Sequence, residues 1–144
     1  MTHDTRTRLA ATRDRHVLGE IDPRIASDRH RCDEIDAAIA ARRCWVAERS
    51  GRVAGYGVLT RNFFARDFLE LLFVAEDSRR AGAGSALLAA IERTVHADRL
   101  FTSTNESNTA MRALLAGRGY APSGRIENLD PGDPELVFVK FLRG

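Results

Sequence analysis

The chain has 144 residues, of which 44% are hydrophobic and 29% are charged. This composition is typical of a folded globular protein, argues against a disordered one and, with this length, predicts a single domain over residues 1–144. Lys and Arg total 22 against 20 Asp and Glu, so the net charge of +2 gives no reason to expect nucleic acid or an anionic membrane as a partner.

The N-terminal third predicts one strand followed by two helices. An alternating segment at residues 5–10 predicts the strand, and a short helix follows at 12–20, which Pro23 is expected to end. A longer helix is predicted over 28–41, with Asp28 as its N-cap and apolar residues at helical spacing behind it.

The rest of the chain mixes hairpins with β-α-β units. A turn at Ser50-Gly51 joins two strands, and the next strand is apolar on both faces, which predicts a central position in the sheet. The further predicted strands are 44–48, 53–59, 68–75, 100–103, 121–129 and 135–142, and the helices are 85–96 and 108–116. The order β-α-α-β-β-β-α-β-α-β-β predicts an α+β three-layer sandwich: a mixed, mostly antiparallel sheet with helices on both faces.

The cysteines and the N-terminus bear on metal binding and location. Cys32 and Cys44 match no metal-ligand or redox spacing, and the four histidines do not cluster with them, so no metal site is predicted. Residues 1–15 lack the apolar core of a signal peptide, and no segment approaches the roughly 20 apolar residues of a membrane span. Two unpaired thiols suit a reducing compartment, so we expect a cytoplasmic protein with no membrane partner.

The most informative segment is 69–91, a buried strand followed by a glycine-containing loop and a helix. Gly82 and Gly84 lie where the loop enters the helix, so the backbone can turn sharply and approach a ligand closely. The N–H groups near Ser85 lack intrahelical partners and carry partial positive charge. Together these features favour an anion cradle, for which a pyrophosphate is the natural guest, although the glycines alone also fit ordinary turn residues.

Two motifs resemble those of the GNAT superfamily of N-acetyltransferases. Residues 79–84 (RRAGAG) fit the acetyl-coenzyme A loop R/Q-x-x-G-x-G/A of that family. Residues 108–115, with the Gly-aromatic pair 119–120, resemble its second cofactor-contacting helix and its end. The resemblance extends over residues 5–142 in element order, and its specific part is 70–120.

The resemblance implies the GNAT acyl-CoA N-acyltransferase fold and acetyl-CoA as co-substrate, with no metal. The pantetheine would lie where the strands at 68–75 and 100–103 splay, and the pyrophosphate would lie on the loop N–H groups. The Val74 N–H would polarise the thioester carbonyl as an oxyanion donor. The implied cofactor-binding residues are Phe73, Val74, Arg79, Arg80, Ala81, Gly82, Ala83, Gly84, Ser85 and Asn108.

Glu70 is the candidate general base. It interrupts an otherwise apolar strand, where a carboxylate is costly unless it is paired or reaches water. The resemblance implies that Glu70 accepts the amine proton, while an exposed and inert glutamate near the strand start remains the alternative. The tyrosine that protonates the leaving thiolate in many relatives is replaced by Leu115. Tyr56 and Tyr120 are expected to be strand and core residues, so no general acid is predicted.

The predicted activity is transfer of acetyl from acetyl-CoA to a primary amine by direct attack. Two alternatives stay open: a non-catalytic CoA-binding or sensing module of the same fold, and an enzyme that uses a longer acyl donor. The acceptor can be a small-molecule or a protein amine. Exposed C-terminal strands leave a homodimer open as well.

Two further features concern the acceptor. Phe63 and Phe64 precede the central strand and either line the acceptor site or cap the sheet. The C-terminal hairpin carries four acidic residues that would attract a cationic amine, or that serve only as turn residues around Pro131-Gly132. These acidic residues are Glu127, Asp130, Asp133 and Glu135.

Overall fold

Seven strands and five α-helices make up residues 5–79 and 82–142, the part of the chain that the computed structural model describes. The strands are β1 (Thr5–Leu9), β2 (Cys44–Arg49), β3 (Arg52–Phe63), β4 (Arg66–Val74), β5 (Arg99–Asn105), β6 (Ala121–Ile126) and β7 (Glu135–Phe141). The helices are α1 (Arg15–Ile21), α2 (Pro23–Ser27), α3 (Arg29–Ala40), α4 (Ala83–Thr94) and α5 (Thr109–Gly117), and short 3-10 turns cover Thr12–Asp14 and Glu76–Ser78. Each predicted element is present with its ends displaced by a few residues.

The strands form one mixed sheet in the order β1-β2-β3-β4-β5-β7-β6. β4 and β5 are parallel at Phe68↔Phe101 and Leu69↔Thr102. The pairs β1–β2, β2–β3, β5–β7 and β6–β7 are antiparallel. β4 is the fourth of the seven strands, so its predicted central position is confirmed, as is the predicted class of a mixed sheet with helices.

The chain packs as two compact units. The first contains the residues up to Leu59 together with Leu71–Thr94. Its core joins the apolar sides of α1, α2 and α3 to β2 and β3, while α4 buries its own apolar stripe. Its fully buried core residues include Leu18, Ile35, Val46, Tyr56, Val58, Leu87, Leu88 and Ile91.

The second unit contains Thr60–Glu70 and the residues from Val95 onward. Its strand β5 alternates strictly, with Leu100, Thr102 and Thr104 buried and the residues between them half-buried. β6 is an edge strand that is exposed along its whole length, and its register shifts between Pro122 and Gly124. Among the described residues of both units, no helix is long and apolar enough to cross a membrane.

Two local features differ from the prediction. The first helix does end before Pro23, but that proline also begins α2, because proline at the first helical position loses no hydrogen bond. The Asp22 side chain caps α2 by accepting from the Arg24 N–H at 3.1 Å. β3 continues beyond residue 59 to Phe63, whose ring stacks on Phe68 at 4.9 Å.

Candidate functional site

The turn that leads into α4 contains the glycine predicted to admit a ligand. Gly82 is exposed with a φ of +91°, and, apart from its own chain neighbours, no described residue has an atom within 4 Å of the position that a Cβ would occupy. The helix begins at Ala83, and the Ala86 N–H donates to the Gly82 carbonyl at 3.0 Å. The earlier N–H groups of the first turn, which includes Gly84 and Ser85, therefore have no intrahelical acceptor. This open, positively polarised helix start fits a phosphate group.

Arg79 connects the loop to the end of β4. Its Nε donates to the Val74 carbonyl at 3.1 Å, and its guanidinium carbon lies 5.9 Å from the centre of the Phe73 ring. The structure thus brings together Phe73, Val74 and Arg79, three of the residues predicted to bind the cofactor. Arg80 and Ala81, from the same set, lie outside the described residues.

The end of β4 is held by a close approach to β3. A Cβ at Gly55 would lie 2.5 Å from the Phe73 carbonyl oxygen and 3.2 Å from the Val74 Cα. The two backbones can therefore pack only because residue 55 has no side chain. The Phe73 ring also stacks on Tyr56, with 5.8 Å between the ring centres. Gly55 was not predicted from the sequence, although a glycine inside a strand often signals a close backbone approach.

Glu70 is half-buried in the second unit and accepts two hydrogen bonds. Thr60 Oγ1 lies 2.9 Å and Asn62 Nδ2 lies 3.2 Å from the same carboxylate oxygen, Oε1. Within the described part of the chain, Oε2 has no such partner and Glu70 has no ion pair. Two neutral donors therefore offset the cost of burying this carboxylate and leave one oxygen open to a ligand or water. Neither donor was predicted from the sequence, where their spacing of two residues on a strand was the available signal.

Asn108 is the N-cap of α5. Its Oδ1 accepts the Met111 N–H at 3.1 Å, which satisfies one of the orphan donors at the start of that helix. No described residue bonds its side-chain Nδ2, so this donor remains open to a ligand. The residue predicted to contact a cofactor arm is thus held in place by the helix that it caps.

No residue with an accessible hydroxyl stands at the position expected for a general acid. Leu115 is completely buried. Tyr56 is also buried, which raises the pKa of its hydroxyl, and that hydroxyl donates to Asp22. Tyr120 is 5% exposed and packs under the Lys140 ammonium. We therefore assign no acid.

Phe63 and Phe64 are adjacent in the sequence but differ in their exposure to solvent. The Phe63 ring packs on Phe68 and lies 5.4 Å from the Phe101 ring. Phe64 is 85% exposed and lies in the turn between β3 and β4, where it and Ala65 both have positive φ. Phe63 is therefore part of an aromatic cluster, and Phe64 is the one with surface available for a ligand.

The acidic residues of the C-terminal hairpin each accept a local hydrogen bond. Three of the four donors are neutral, so the negative charge of those carboxylates is retained. The pairs are Ser103–Glu135 (2.7 Å), Asn105–Asp130 (2.9 Å), Ser107–Asp133 (2.6 Å) and Arg125–Glu127 (2.7 Å). These contacts support a structural role in the turn, and attraction of a cationic acceptor stays a prediction.

One group of side chains in the first unit has the chemistry of metal ligands. Atoms of Cys32, Asp33 and Asp36 lie within 4.8 Å of one another. The Arg15 guanidinium already contacts two of them, with Nη2 2.6 Å from the Cys32 sulfur and Nε 2.7 Å from Asp36. The positive charge next to these three side chains is therefore already supplied by Arg15 of the same chain.

Comparison with known proteins identifies a family and a fold. The model of the acetyltransferase (GNAT) family matches residues 11–120. A crystal structure of a GNAT-family acetyltransferase from Bacillus cereus ATCC 10987 is 31% identical, covers 96% of this chain and 97% of its own, and superimposes with a TM-score of 0.89. A comparison with curated protein sequences found no match.

Two more distant structures share the same fold. The yncA protein of Salmonella typhimurium, with acetyl-CoA as its cofactor, is 16% identical over 96% of this chain and 94% of its own, with a TM-score of 0.76. A ribosomal-protein-alanine N-acetyltransferase from Brucella melitensis is 23% identical over 94% and 99%, with a TM-score of 0.73. These likenesses agree with the fold class predicted from the element order.

Proposed function

The chain belongs to the GNAT family of acetyltransferases, and we propose that it transfers an acetyl group from acetyl-CoA to a primary amine. The observation that carries the proposal is the open glycine turn at the start of α4, directly after the central strand. We take residues 1–144 to act as a single N-acetyltransferase domain. The acetyl-CoA in the yncA structure supports the choice of donor.

The donor is proposed to be held through its phosphates and its pantetheine arm. The N–H groups of the first turn of α4, together with the loop residues 79–82, would bind the pyrophosphate. Backbone groups at Phe73 and Val74 would bond the pantetheine amides, as would the open Nδ2 of Asn108. The Gly82 conformation supports this assignment, because an exposed left-handed residue without Cβ leaves the approach clear.

Glu70 is proposed as the general base. An alkylammonium acceptor has a pKa of about 10.4, so it must lose a proton before it can attack at neutral pH. The two donors on Oε1 fix the carboxylate and leave Oε2 to receive that proton, directly or through a water. The amine nitrogen then forms a bond to the acetyl carbon, which gives a tetrahedral intermediate. The carbon–sulfur bond breaks, the thiolate leaves with the electron pair, and the nitrogen releases its second proton to solvent to give the neutral amide.

The Val74 N–H is proposed to donate to the carbonyl oxygen as negative charge develops on it. Rigid placement of such a donor matters, and the contact of Gly55 with this backbone supports that placement. The leaving thiolate needs no protein acid, because a thiol of pKa about 8.5 leaves readily at neutral pH. The buried Leu115 is compatible with this chemistry.

Release of free thiol from acetyl-CoA tests the proposal. The acceptors should include a polyamine, a lysine side-chain amine, a peptide α-amine and a neutral amine, and succinyl-CoA should serve as the longer donor. A cationic amine should be preferred, with a KM that rises with salt, because three of the four carboxylates of the C-terminal hairpin are bonded only to neutral donors. Acetyl-CoA binding without thiol release for any amine would favour the second candidate, a CoA-binding or sensing module, which the lack of an acid at Leu115 keeps open.

A further inference from the structure

The β2–β3 turn and the segment after β4 line a pocket in the first unit that is open to solvent. Its volume is about 200 Å³, whereas a single water needs only about 10–15 Å³ of such space. The two segments are joined by the Ala75 N–H, which donates to the Ala54 carbonyl at 2.7 Å. The polar residues that line the pocket are Arg49, Ser50, Arg52, Asp77 and Ser78.

Two arginines of this pocket form a cross-strand pair. Arg49 and Arg52 are directly opposite in the β2–β3 register, where like charges destabilise a hairpin. Neither has an ion pair with any residue in the described ranges 5–79 and 82–142. By contrast, Arg8 bonds the Asp14 carboxylate at 2.8 Å. The pocket therefore concentrates positive charge that the fold does not neutralise by direct pairing.

The half-buried Arg49 also carries an unsatisfied donor. Its Nε is shielded from solvent and has no hydrogen-bond acceptor. Folding therefore removes the hydration of this group and puts no hydrogen bond in its place, which destabilises the folded state. One carboxylate, Asp77, lines the same pocket, but it accepts a hydrogen bond from the Ser78 hydroxyl at 3.2 Å. Two guanidinium groups against one carboxylate leave a net positive pocket.

We propose that this pocket binds a phosphate group, held by the guanidinium groups of Arg49 and Arg52. A phosphate monoester matches both charges and presents several oxygens to the guanidinium donors. Two sources share this chemistry: the 3′-phosphate of bound coenzyme A, and a separate phosphate ester. Only the first source rests on the proposed function.

The first experiment uses inorganic phosphate as the probe in a two-dimensional ¹⁵N NMR titration at constant ionic strength. We expect saturable shifts of the Arg49 Nε–H signal, assigned by its loss in Arg49→Gln, and of backbone signals at Ser50 and Ser78. Arg49→Gln and Arg52→Gln should each weaken phosphate binding by about tenfold or more, because each removes a charge-assisted contact. Arg29→Gln, an exposed arginine outside the pocket, should leave it unchanged.

The second experiment distinguishes the sources by calorimetry with coenzyme A and 3′-dephospho-coenzyme A. If the cofactor supplies the phosphate, both pocket variants lose affinity for coenzyme A and keep their affinity for the dephospho form. If a separate ester supplies it, both cofactor affinities stay at wild-type values while the phosphate shifts are lost. Thermal melts verify that the variants are folded, and Arg52 is exposed, so its substitution should not disturb the core.

The proposal is overturned if phosphate produces no saturable shift beyond that of chloride and both variants bind both cofactors as the wild type does. That result leaves the acetyltransferase proposal standing as long as the wild type binds acetyl-CoA and releases thiol. Conversely, phosphate binding at Arg49 in a protein that fails to bind acetyl-CoA supports the pocket and removes the proposed function.

Discussion

Replacing Gly55 by alanine places a methyl group against the part of β4 that we propose to polarise the thioester. The new Cβ would lie 2.5 Å from the Phe73 carbonyl oxygen, about 1 Å inside the ~3.5–4.0 Å optimum for non-bonded heavy atoms. Both nearest atoms belong to the backbone, so no side-chain rotation relieves the contact. Either β4 shifts at Phe73–Val74, or the close contact remains and lowers the stability of the folded state.

Each response has an expected size. Overpacking of a core costs about 1–3 kcal/mol, which lowers the melting temperature of a protein of this length by roughly 2–12 °C. A shift of β4 by about 1 Å displaces the Val74 N–H, and a displacement of that size costs about 10²-fold in rate. We therefore expect kcat/KM in the thiol-release assay to fall by about 100-fold in a variant that is still folded at 25 °C.

Gly57→Ala is the matched control on the same strand. Its Cβ would lie 2.8 Å from Ile91 Cδ1, the far end of a flexible side chain, and 3.6 Å from the Leu71 carbonyl oxygen. This variant should lose stability to a similar degree, as measured by urea denaturation, and keep its activity. Equal activities of Gly55→Ala and Gly57→Ala at equal stability would refute the idea that the contact at Gly55 positions the donor.

Other substitutions test the proposed base, the glycine loop and two buried polar groups. Glu70→Gln keeps an acceptor for both neighbouring donors, so the variant should fold normally. Its turnover should be lower by about 10²–10⁴ at neutral pH, and this loss should shrink as the pH rises. Wild-type turnover in the variant would remove Glu70 from the mechanism. Gly82→Val should abolish coenzyme A binding in calorimetry while circular dichroism stays native, because a branched residue is strained at positive φ and fills the space of the pyrophosphate. Burial raises the pKa of the Cys44 thiol to about 12, so a thiol reagent at mildly alkaline pH should leave Cys44 unmodified until denaturant is added, and rapid labelling in the folded state would contradict its burial. The hydrogen bond from Arg8 holds the pKa of the Asp14 carboxyl below its usual range, so Asp14→Asn should lower the free energy of unfolding by about 2–3 kcal/mol at pH 7. That difference should begin to shrink as the pH falls below the unfolded-state pKa of about 3.9, and it should be lost only once the pH is below the lowered pKa of the folded state. A pH-independent difference would show that the charge is not responsible.

Local sequence signals predicted the elements of the fold well. Asp28 caps α3 through the His30 and Arg31 N–H groups, and Ser50-Gly51 forms the turn between β2 and β3 with positive φ at both residues. These features depend on a few neighbouring residues, whose conformational preferences can be read directly from the sequence. The short helix after Pro23 was missed because five residues give too little periodicity to recognise.

The surroundings of the candidate residues were harder to predict, because they depend on pairing between strands. Glu70 was recognised as unusual from its apolar neighbours, but its donors Thr60 and Asn62 come from β3, and the predicted strand ended before both. The importance of Gly55 follows from a distance to β4 that no local pattern contains. Half-burial from Leu71 to Val74 likewise departs from the expectation that an apolar central strand is covered on both faces.

The edge strand β6 determines how copies of this chain can associate. An exposed strand edge is a template for pairing with another molecule, which leads to open-ended aggregation. Here Pro122 removes one backbone donor, and the register shift next to it, with Gly124 at a φ of +133°, interrupts the regular ladder. Continuous sheet extension across this edge is therefore disfavoured, and a homodimer that used the β6 side of the sheet would have to form through side-chain contacts instead.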